Sequence, residues 1–195
     1  MKKSRFSKSL VVLVQLAVLF LAAVAHGDVC YYVTNTSPCR GYAINNNAQI
    51  VGYLGDGVGL WQNGSVTDLG TLPGYNYAQA EGISESGRYI AAYAYNVDPP
   101  DGRGVLWTDG VIAELPPLPG DAGSGALKVN DAGIAVGSST MPGILYPDGM
   151  RAVYWENGVP HELPSLGGAY GEALDINNAG TIIGDTQRAD GSWTT

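Results

Sequence analysis

The amino-acid sequence predicts an all-β protein, built as a propeller-like array of four-stranded antiparallel repeats of about 46 to 48 residues. The first observation is a segment written three times, as LWQNGSVTDLGTLPG (Leu60 to Gly74), LWTDGVIAELPPLPG (Leu106 to Gly120) and YWENGVPHELPSLGG (Tyr154 to Gly168). A fixed period of this size is typical of proteins with one supersecondary unit per repeat. The second observation is a content of 28 glycines and 11 prolines, which favours short strands joined by tight turns over long helices.

The first two strands of each repeat form a predicted hairpin. The first strand carries AIN (Ala43 to Asn45), GIS (Gly82 to Ser84), KVN (Lys128 to Asn130) or DIN (Asp175 to Asn177). The second carries IVG (Ile50 to Gly52), YIA (Tyr89 to Ala91), AVG (Ala135 to Gly137) or IIG (Ile182 to Gly184). Between them stand NNAQ, ESGR, DAGI or NAGT, whose Asn, Asp and Gly residues tolerate the positive φ of a tight turn.

Strands three and four form a second predicted hairpin, which contains the recurring tryptophan. Its turns are Asn63-Gly64, Asp109-Gly110 and Asn157-Gly158, which are typical of two-residue hairpin loops. On strand three, Val105 and Trp107 face one way and Leu106 the other, yet all three are apolar. Both faces of the sheet must therefore be covered, as they are between neighbouring propeller blades. A parallel β-helix would use a shorter coil, and a two-sheet sandwich would not repeat its sequence.

The first 25 residues predict a secretory signal peptide. Four basic residues precede an apolar run from Leu10 to Ala25, which ends in the small-residue cleavage signal Ala23-Val24-Ala25. A membrane anchor is the alternative, but this run of 16 residues is shorter than the roughly 20 that a spanning helix needs. We therefore expect a secreted or extracellular bacterial protein, or a periplasmic one, without a membrane span after cleavage.

The remaining chain divides into five predicted parts. Residues 26–38 form an N-terminal segment with an orphan strand (Cys30 to Thr34), residues 39–74, 75–120 and 121–168 form three repeats, and residues 169–195 form a partial fourth repeat. We expect this last repeat to be incomplete, because the sequence ends where its own Leu-Trp strand would begin. The orphan strand could complete the last sheet if the two termini meet.

Cleavage after Ala25 would leave six basic residues against 18 acidic ones, a net charge of about −12. Such a polyanion repels nucleic acid and anionic lipid, so we expect no nucleic-acid partner. Export would also place Cys30 and Cys39 in an oxidising compartment, where a disulfide closing this short loop or two separate thiols are the alternatives.

Taken together, these motifs resemble the HAF repeat, an extracellular repeat family of bacterial proteins with an A-x-x-IN-x-x-G-x-VVG core followed by HAFLW-x-x-G and DLGTLGG. The closest matches are Ile44-Asn45, Ile50 to Gly52, Leu60-Trp61 and Asp68 to Leu72. The His-Ala-Phe triplet itself is missing before each tryptophan. The resemblance implies an exported, propeller-like, non-enzymatic protein and supplies no catalytic residue.

Several residue groups have a functional and a structural interpretation. The strand-four carboxylates Asp68, Glu114 and Glu162 could form a Ca²⁺ ring around an axis, or could accept backbone N–H groups of the following turns. Asn96, Asp98, Asp101 and Gly102 are similar to a calcium loop, but two prolines disrupt its spacing, which favours a rigid surface turn. The tryptophans could stack on carbohydrate, although one per repeat in a strand favours the core. We predict no metal or cofactor.

An enzyme has little support from the sequence. His161 is the only histidine after the cleavage site besides His26, and neither a G-x-S-x-G elbow nor an H-E-x-x-H pair occurs. Ser84 to Gly87 does not reproduce the Asp-box of sialidase-type propellers. The alternative function is a truncated propeller enzyme of the hydrolase or lyase type, with a site near the axis.

The connection between strands two and three is the candidate binding region, because it holds almost all the length variation between repeats. From the last residue of strand two to the tryptophan, the three repeats count 9, 16 and 18 residues. Loops on a rigid scaffold commonly carry recognition, and tyrosines beside acidic residues suit a protein or glycan partner. Plain tolerance of insertions is the alternative. We expect the following residues to lie together and bind the ligand: Tyr93, Tyr95, Asp98 and Asp101 of repeat 2, and Met141, Tyr146 and Asp148 of repeat 3.

Overall fold

The structure is a computed structural model that describes residues 10–12, 31–33, 35–98, 100–143 and 149–194. These residues form strands and turns only, and no helix long and apolar enough to cross a membrane is found among them. Of the predicted signal peptide, only Leu10–Val12 lies in the described ranges. The predicted cleavage therefore stays a prediction.

Four antiparallel sheets follow one another along the chain. Within each sheet, strands that are consecutive in the sequence are neighbours. Sheet 1 contains β3 (Arg40–Ile44), β4 (Ile50–Leu54), β5 (Gly57–Gln62) and β6 (Ser65–Gly70). Sheet 2 contains β7 (Tyr77–Ile83), β8 (Tyr89–Val97), β9 (Pro100–Thr108) and β10 (Val111–Leu115). Sheet 3 contains β11 (Gly123–Val129), β12 (Ala135–Thr140), β13 (Met150–Glu156) and β14 (Val159–Glu162). Sheet 4 contains β15 (Gly167–Ile176), β16 (Ile182–Arg188) and β17 (Trp193–Thr194).

The second hairpin of each complete repeat turns as the sequence predicts. Asn63, Asp109 and Asn157 have φ values of 51°, 51° and 54°, and the glycine after each is also in the left-handed region. Asn, Asp and Gly adopt this conformation at low cost, so the two-residue loop forms from local sequence alone.

The strand register corrects the predicted alignment of repeat 2. The tryptophans pair with Ile50 in sheet 1, Ile90 in sheet 2 and Ala135 in sheet 3. The predicted strand YIA, which begins at Tyr89, is therefore one residue out of phase. The reason is the β7–β8 turn, which has one more residue than its counterpart in sheet 1, since Ser84 bonds to Tyr89 whereas Asn45 bonds to Gln49.

Consecutive sheets pack face to face, and their first strands β3, β7, β11 and β15 contact one another in that order. In sheets 1, 2 and 3, one residue of the second strand faces the next sheet. These residues are Val51, Ala91 and Val136, and each is completely buried. Trp61, Trp107 and Trp155 are 9%, 1% and 1% exposed, so the prediction that they belong to the core is confirmed. The fourth strands lie at the outer edges.

The orphan strand forms but has a different partner from the one expected. β2 (Tyr31–Val33) pairs in parallel with β1 (Leu10–Val12) and not with sheet 4. An exposed strand edge offers unpaired N–H and C=O groups to any extended segment beside it, and here β1 is that segment.

Candidate functional site

The variable connection of repeat 2 is a paired hairpin and not a loop. β8 and β9 are nine residues each and remain in register up to the pair Val97 and Pro100. Asn96 and Asp101 stand opposite each other, and Tyr95 stands opposite Gly102. The extra length thus extends the sheet beyond its neighbours, which gives the predicted binding residues Tyr93, Tyr95 and Asp101 fixed positions.

Tyrosine side chains form a continuous cluster on this extension. Tyr77 and Tyr95 are a cross-strand pair whose rings stack with centroids 5.3 Å apart, and Tyr93 stacks on Tyr95 at 5.4 Å. Tyr53 of sheet 1 lies close to Tyr77 and Tyr95; burial and the neighbouring phenols raise its pKa. We call Tyr53, Tyr77, Tyr93 and Tyr95 the tyrosine surface. It spans sheets 1 and 2.

A network of charges fixes Asp101 at the border of this surface. The Tyr75 hydroxyl donates to Asp101 Oδ2 at 3.0 Å, and Arg103 Nη1 lies 2.6 Å from Oδ1. Arg103 also donates to Glu114 Oε1 at 3.1 Å. Burial, with a contribution from the Asp101 carboxylate, raises the pKa of Tyr93, and burial and the hydrogen bond to Asp101 raise the pKa of Tyr75. Both phenols therefore remain neutral hydrogen-bonding groups at neutral pH.

The predicted repeat 3 residues belong to another neighbourhood at the same end of the sheets. Met141 lines a cleft of about 100 Å³ between sheets 3 and 4, together with Met150, Arg151 and Tyr170. Arg103 donates to the carbonyl of Ala122, and the Ala122 N–H donates to Thr140, which directly precedes Met141. Tyr146 and Asp148 lie outside the described residues, so their share in the site stays a prediction.

The calcium-loop interpretation of Asn96 to Gly102 is not supported, because two of its three candidate ligand side chains, Asn96 and Asp101, are already engaged. Asn96 Nδ2 donates to the Gly74 carbonyl at 3.1 Å, and its Oδ1 accepts the Asn76 N–H at 2.9 Å. Asp101 is bonded to Tyr75 and Arg103, and Asp98 is exposed in the turn. Asn96 and Asp101 are a cross-strand pair, so the segment is the tip of the β8–β9 hairpin.

The strand-four carboxylates do not form a ring either. They lie on the outer edge strands β6, β10 and β14, one in each sheet. Asp68 accepts the Gly70 N–H at 2.8 Å, as the structural interpretation predicts. Glu114 and Glu162 instead bind Arg103 and Arg151, at 3.1 Å in both cases. In the described part of the chain, no three His, Cys, Asp or Glu side chains converge as a metal site would require.

The contacts of the remaining candidates, His161 and Cys39, are those of structural residues. His161 stacks on Tyr154 at 4.7 Å on the outer strand β14, away from the contacting first strands. Cys39 is 3% exposed, carries a free thiol in the structure, and points its Sγ at the Gly59 carbonyl at 3.6 Å. Burial raises the pKa of this thiol. Cys30 lies outside the described residues, so the disulfide stays a prediction.

Sequence reasoning missed the arginines. Arg103 and Arg151 each stand four residues before the tryptophan, with Glu114 and Glu162 seven residues after it. Repeat 1 has Gly57 and Asp68 at these positions, and there the carboxylate turns to the backbone. The joint presence of Arg and Glu in two repeats was the signal. Sequence reasoning also missed three tyrosines that lie near Tyr93 and Tyr95. They come from β4 (Tyr53), from the connection before β7 (Tyr75) and from β7 (Tyr77), so only the packing of the sheets brings them together.

The fold is thus an all-β, propeller-like array of antiparallel sheets, and a solved structure shares it. The chain is similar to the β-propeller structure of TolB from Acinetobacter baumannii, with a TM-score of 0.53 and 13% sequence identity. The match covers 80% of this chain and 39% of the TolB chain. At this identity the likeness concerns the fold alone. No protein-family model matches the chain, and no curated protein matches it.

Proposed function

We propose that this protein is an exported, HAF-like bacterial scaffold without catalytic activity, which binds a partner through the tyrosine surface. The observation that carries the proposal is the stacked set Tyr77, Tyr95 and Tyr93, held on a hairpin that extends beyond the sheets beside it. The signal-peptide pattern supports a secreted or extracellular location, with the periplasm as the alternative.

Rigid tyrosines are well suited to recognition. Each has only two side-chain torsions, so it offers a large apolar and polar contact area at a low cost in conformational entropy. Here stacking and the cross-strand pairing of Tyr77 with Tyr95 restrict these torsions further. Tyr93 is 38% exposed, and the Asp101 carboxylate stands at its side. A ligand would therefore meet preorganised phenol groups bordered by the ion pairs of Arg103 with Asp101 and Glu114, which together carry one net negative charge.

A protein partner fits this arrangement better than a glycan. Sugars stack on the open faces of aromatic rings, whereas Tyr95 shares its ring faces with two neighbours. What remains for a ligand is ring edges, hydroxyl groups and carboxylates, which suit polar and basic side chains of a protein. The net charge of the mature chain, about −12, also favours a basic partner surface.

Binding to extracellular proteins and to a glycan array, compared between the wild type and a Tyr93→Ser/Tyr95→Ser variant, tests the proposal. We expect a specific protein partner whose binding the double variant loses. The matched control is Tyr89→Ser, a tyrosine at the opposite end of the same strand β8, which should bind as the wild type does. Binding that survives the double substitution would remove the tyrosine surface from the mechanism. Glycan binding lost by the same variant would keep the surface and change the partner class.

The alternative enzyme function has its own test. His161 is the catalytic candidate of this alternative, although its imidazole ring stacks on Tyr154 at an outer edge. Hydrolase or lyase turnover by the purified protein that His161→Ala abolishes would overturn the non-catalytic proposal.

Export is tested independently of binding. Mass spectrometry of the protein recovered from the periplasm or the medium of a Gram-negative host should show that the first 25 residues are missing. An intact N-terminus held in the membrane fraction would contradict the cleavage proposal.

A further inference from the structure

Neighbouring sheets are joined at one end by hydrogen bonds between their first hairpin turns. Asn45 Nδ2 of sheet 1 donates to the Ser84 carbonyl of sheet 2 at 3.1 Å. The next backbone N–H, that of Asn46, donates to Glu85 Oε2 at 3.0 Å. In both bonds a turn donates to the turn of the following sheet.

The same bonds recur further along the array. Asn130 Nδ2 of sheet 3 donates to the Asn177 carbonyl of sheet 4 at 3.2 Å, and the Asp131 N–H donates to Asn178 Oδ1 at 2.9 Å. Between sheets 2 and 3, the Ser86 N–H donates to Asp131 Oδ1 at 2.7 Å. The turns of sheets 2 and 3 therefore accept from the preceding sheet and donate to the following one. One additional bond, from Asn178 Nδ2 to Asp131 Oδ2 at 2.8 Å, runs in the opposite direction.

An apolar contact accompanies each of these joints. The second-strand residue that faces the next sheet shares an apolar cluster with the last residue of that sheet's first strand. The pairs are Val51 with Ile83, Ala91 with Val129, and Val136 with Ile176. The forward-facing residues are 0% exposed, and Val129 and Ile176 are 6% and 8% exposed. Burial at these positions is thus produced by the neighbouring sheet.

Among the described residues, sheet 1 and sheet 4 each carry one half of this joint without its counterpart. On sheet 4, Ile183 occupies the position of Val51 and Val136 but is 62% exposed. Asn177 Nδ2 and the Asn178 N–H, the equivalents of the donating groups, have no partner among the described residues. Sheet 4 therefore presents an exposed apolar residue and two donors that no described residue engages.

Sheet 1 presents the complementary face. Ile44 pairs with Ile50 as Ile83 pairs with Ile90, and it is 65% exposed. The Asn45 carbonyl corresponds to that of Asn177, and Asn46 Oδ1 corresponds to Asn178 Oδ1, which accepts in the joint between sheets 3 and 4. No described residue bonds to Asn46 Oδ1.

We propose that the free face of sheet 4 binds the free face of sheet 1 in a second copy of this chain. The contact repeats the joint that already links the sheets within one chain: Ile183 covers Ile44, Asn177 Nδ2 donates to the Asn45 carbonyl, and the Asn178 N–H donates to Asn46 Oδ1. Because the two faces differ, the assembly is head-to-tail; it closes into a ring if the rotation per copy permits and otherwise continues as a chain.

Light scattering after size-exclusion chromatography, on protein expressed from the full chain over a concentration series, tests the proposal. We expect a molar mass at least twice that of the monomer at high concentration. Ile183→Asp and Ile44→Asp each destroy one face, so each variant alone should stay monomeric. Mixing the two should produce a 1:1 complex, because the first retains sheet 1 and the second retains sheet 4.

Both isoleucines are exposed in the single chain, so the substitutions should leave folding intact, which a thermal unfolding curve checks. The matched control is Val111→Asp, which changes a residue of the edge strand β10 that is 71% exposed and should associate as the wild type does. A milder variant, Asn46→Ala, removes one acceptor and should weaken association about two- to tenfold. A wild type that stays monomeric, or an Ile44→Asp variant that still self-associates, would overturn the proposal.

Discussion

Replacing Trp107 by Ala examines the central packing argument of the fold. The indole is 1% exposed and lies in a cluster that combines residues of sheets 1 and 2. Ile90 of β8 and Ile112 of β10 flank it as cross-strand partners. The substitution therefore empties a site that both sheets need.

The magnitude follows from the buried area. A buried tryptophan removes about 150–250 Å² from water, which at about 25 cal/mol per Å² corresponds to about 4–6 kcal/mol. Alanine retains a small part of this area, and the surrounding side chains relax only partly into the cavity. We therefore expect Trp107→Ala to lower the free energy of unfolding by about 3–5 kcal/mol.

Urea denaturation followed by circular dichroism measures this loss, provided that the slope of the transition is the same for both proteins. Trp193→Ala is the matched control, because Trp193 is 56% exposed and only tilts against Tyr170 at 4.9 Å. Its loss should stay below about 1 kcal/mol. An equally small loss for Trp107→Ala would refute the core assignment and restore ligand stacking as an interpretation of the tryptophans.

Three further results are expected. Arg151→Met should lower the free energy of unfolding by about 2–3 kcal/mol, because it leaves the Asp121 carboxylate, whose side chain is 2% exposed, without its cation. The control Arg88→Met breaks an exposed ion pair and should leave stability nearly unchanged in the same denaturation assay. Hydrogen bonds hold the pKa of Asp131 below its usual value, so its contribution to stability is present above the unfolded-state pKa of about 3.9 and is lost as the pH falls through the lower folded-state pKa. An acid titration should accordingly destabilise Asp131→Asn less than the wild type; equal losses would contradict this role. The Cys39 thiol, buried and with a raised pKa, should react slowly with iodoacetamide in the folded protein; failure to react after unfolding without reductant would instead establish the predicted bridge.

Much of the architecture is local and can therefore be predicted from the sequence. The turns at Asn63, Asp109 and Asn157 need only residues that tolerate positive φ, and the sequence supplies them at a constant distance from each tryptophan. Two-sided apolar patterning on strand three likewise required a neighbour on each face. These features depend on a few consecutive residues, so no knowledge of distant contacts was necessary.

The candidate site depended on contacts that the sequence does not contain. Length variation between the repeats located the β8–β9 segment. The sequence could not show whether the extra residues form a loop or lengthen two paired strands. Nor could it bring Tyr53 of one sheet next to Tyr77 and Tyr95 of another, because that distance is set by how the sheets pack. The same holds for Arg103, whose partners come from two strands and a connection.

The sequence by itself determined the repeat, its strands and its turns, because these follow from propensities within each unit. The tertiary structure alone decided which repeated positions are buried. Val51 and Ile183 occupy the same place in their sheets and have nearly the same side chain, yet they are 0% and 62% exposed. The physical reason is that burial belongs to the interface between two sheets, and Val51 has a sheet in front of it whereas Ile183 does not.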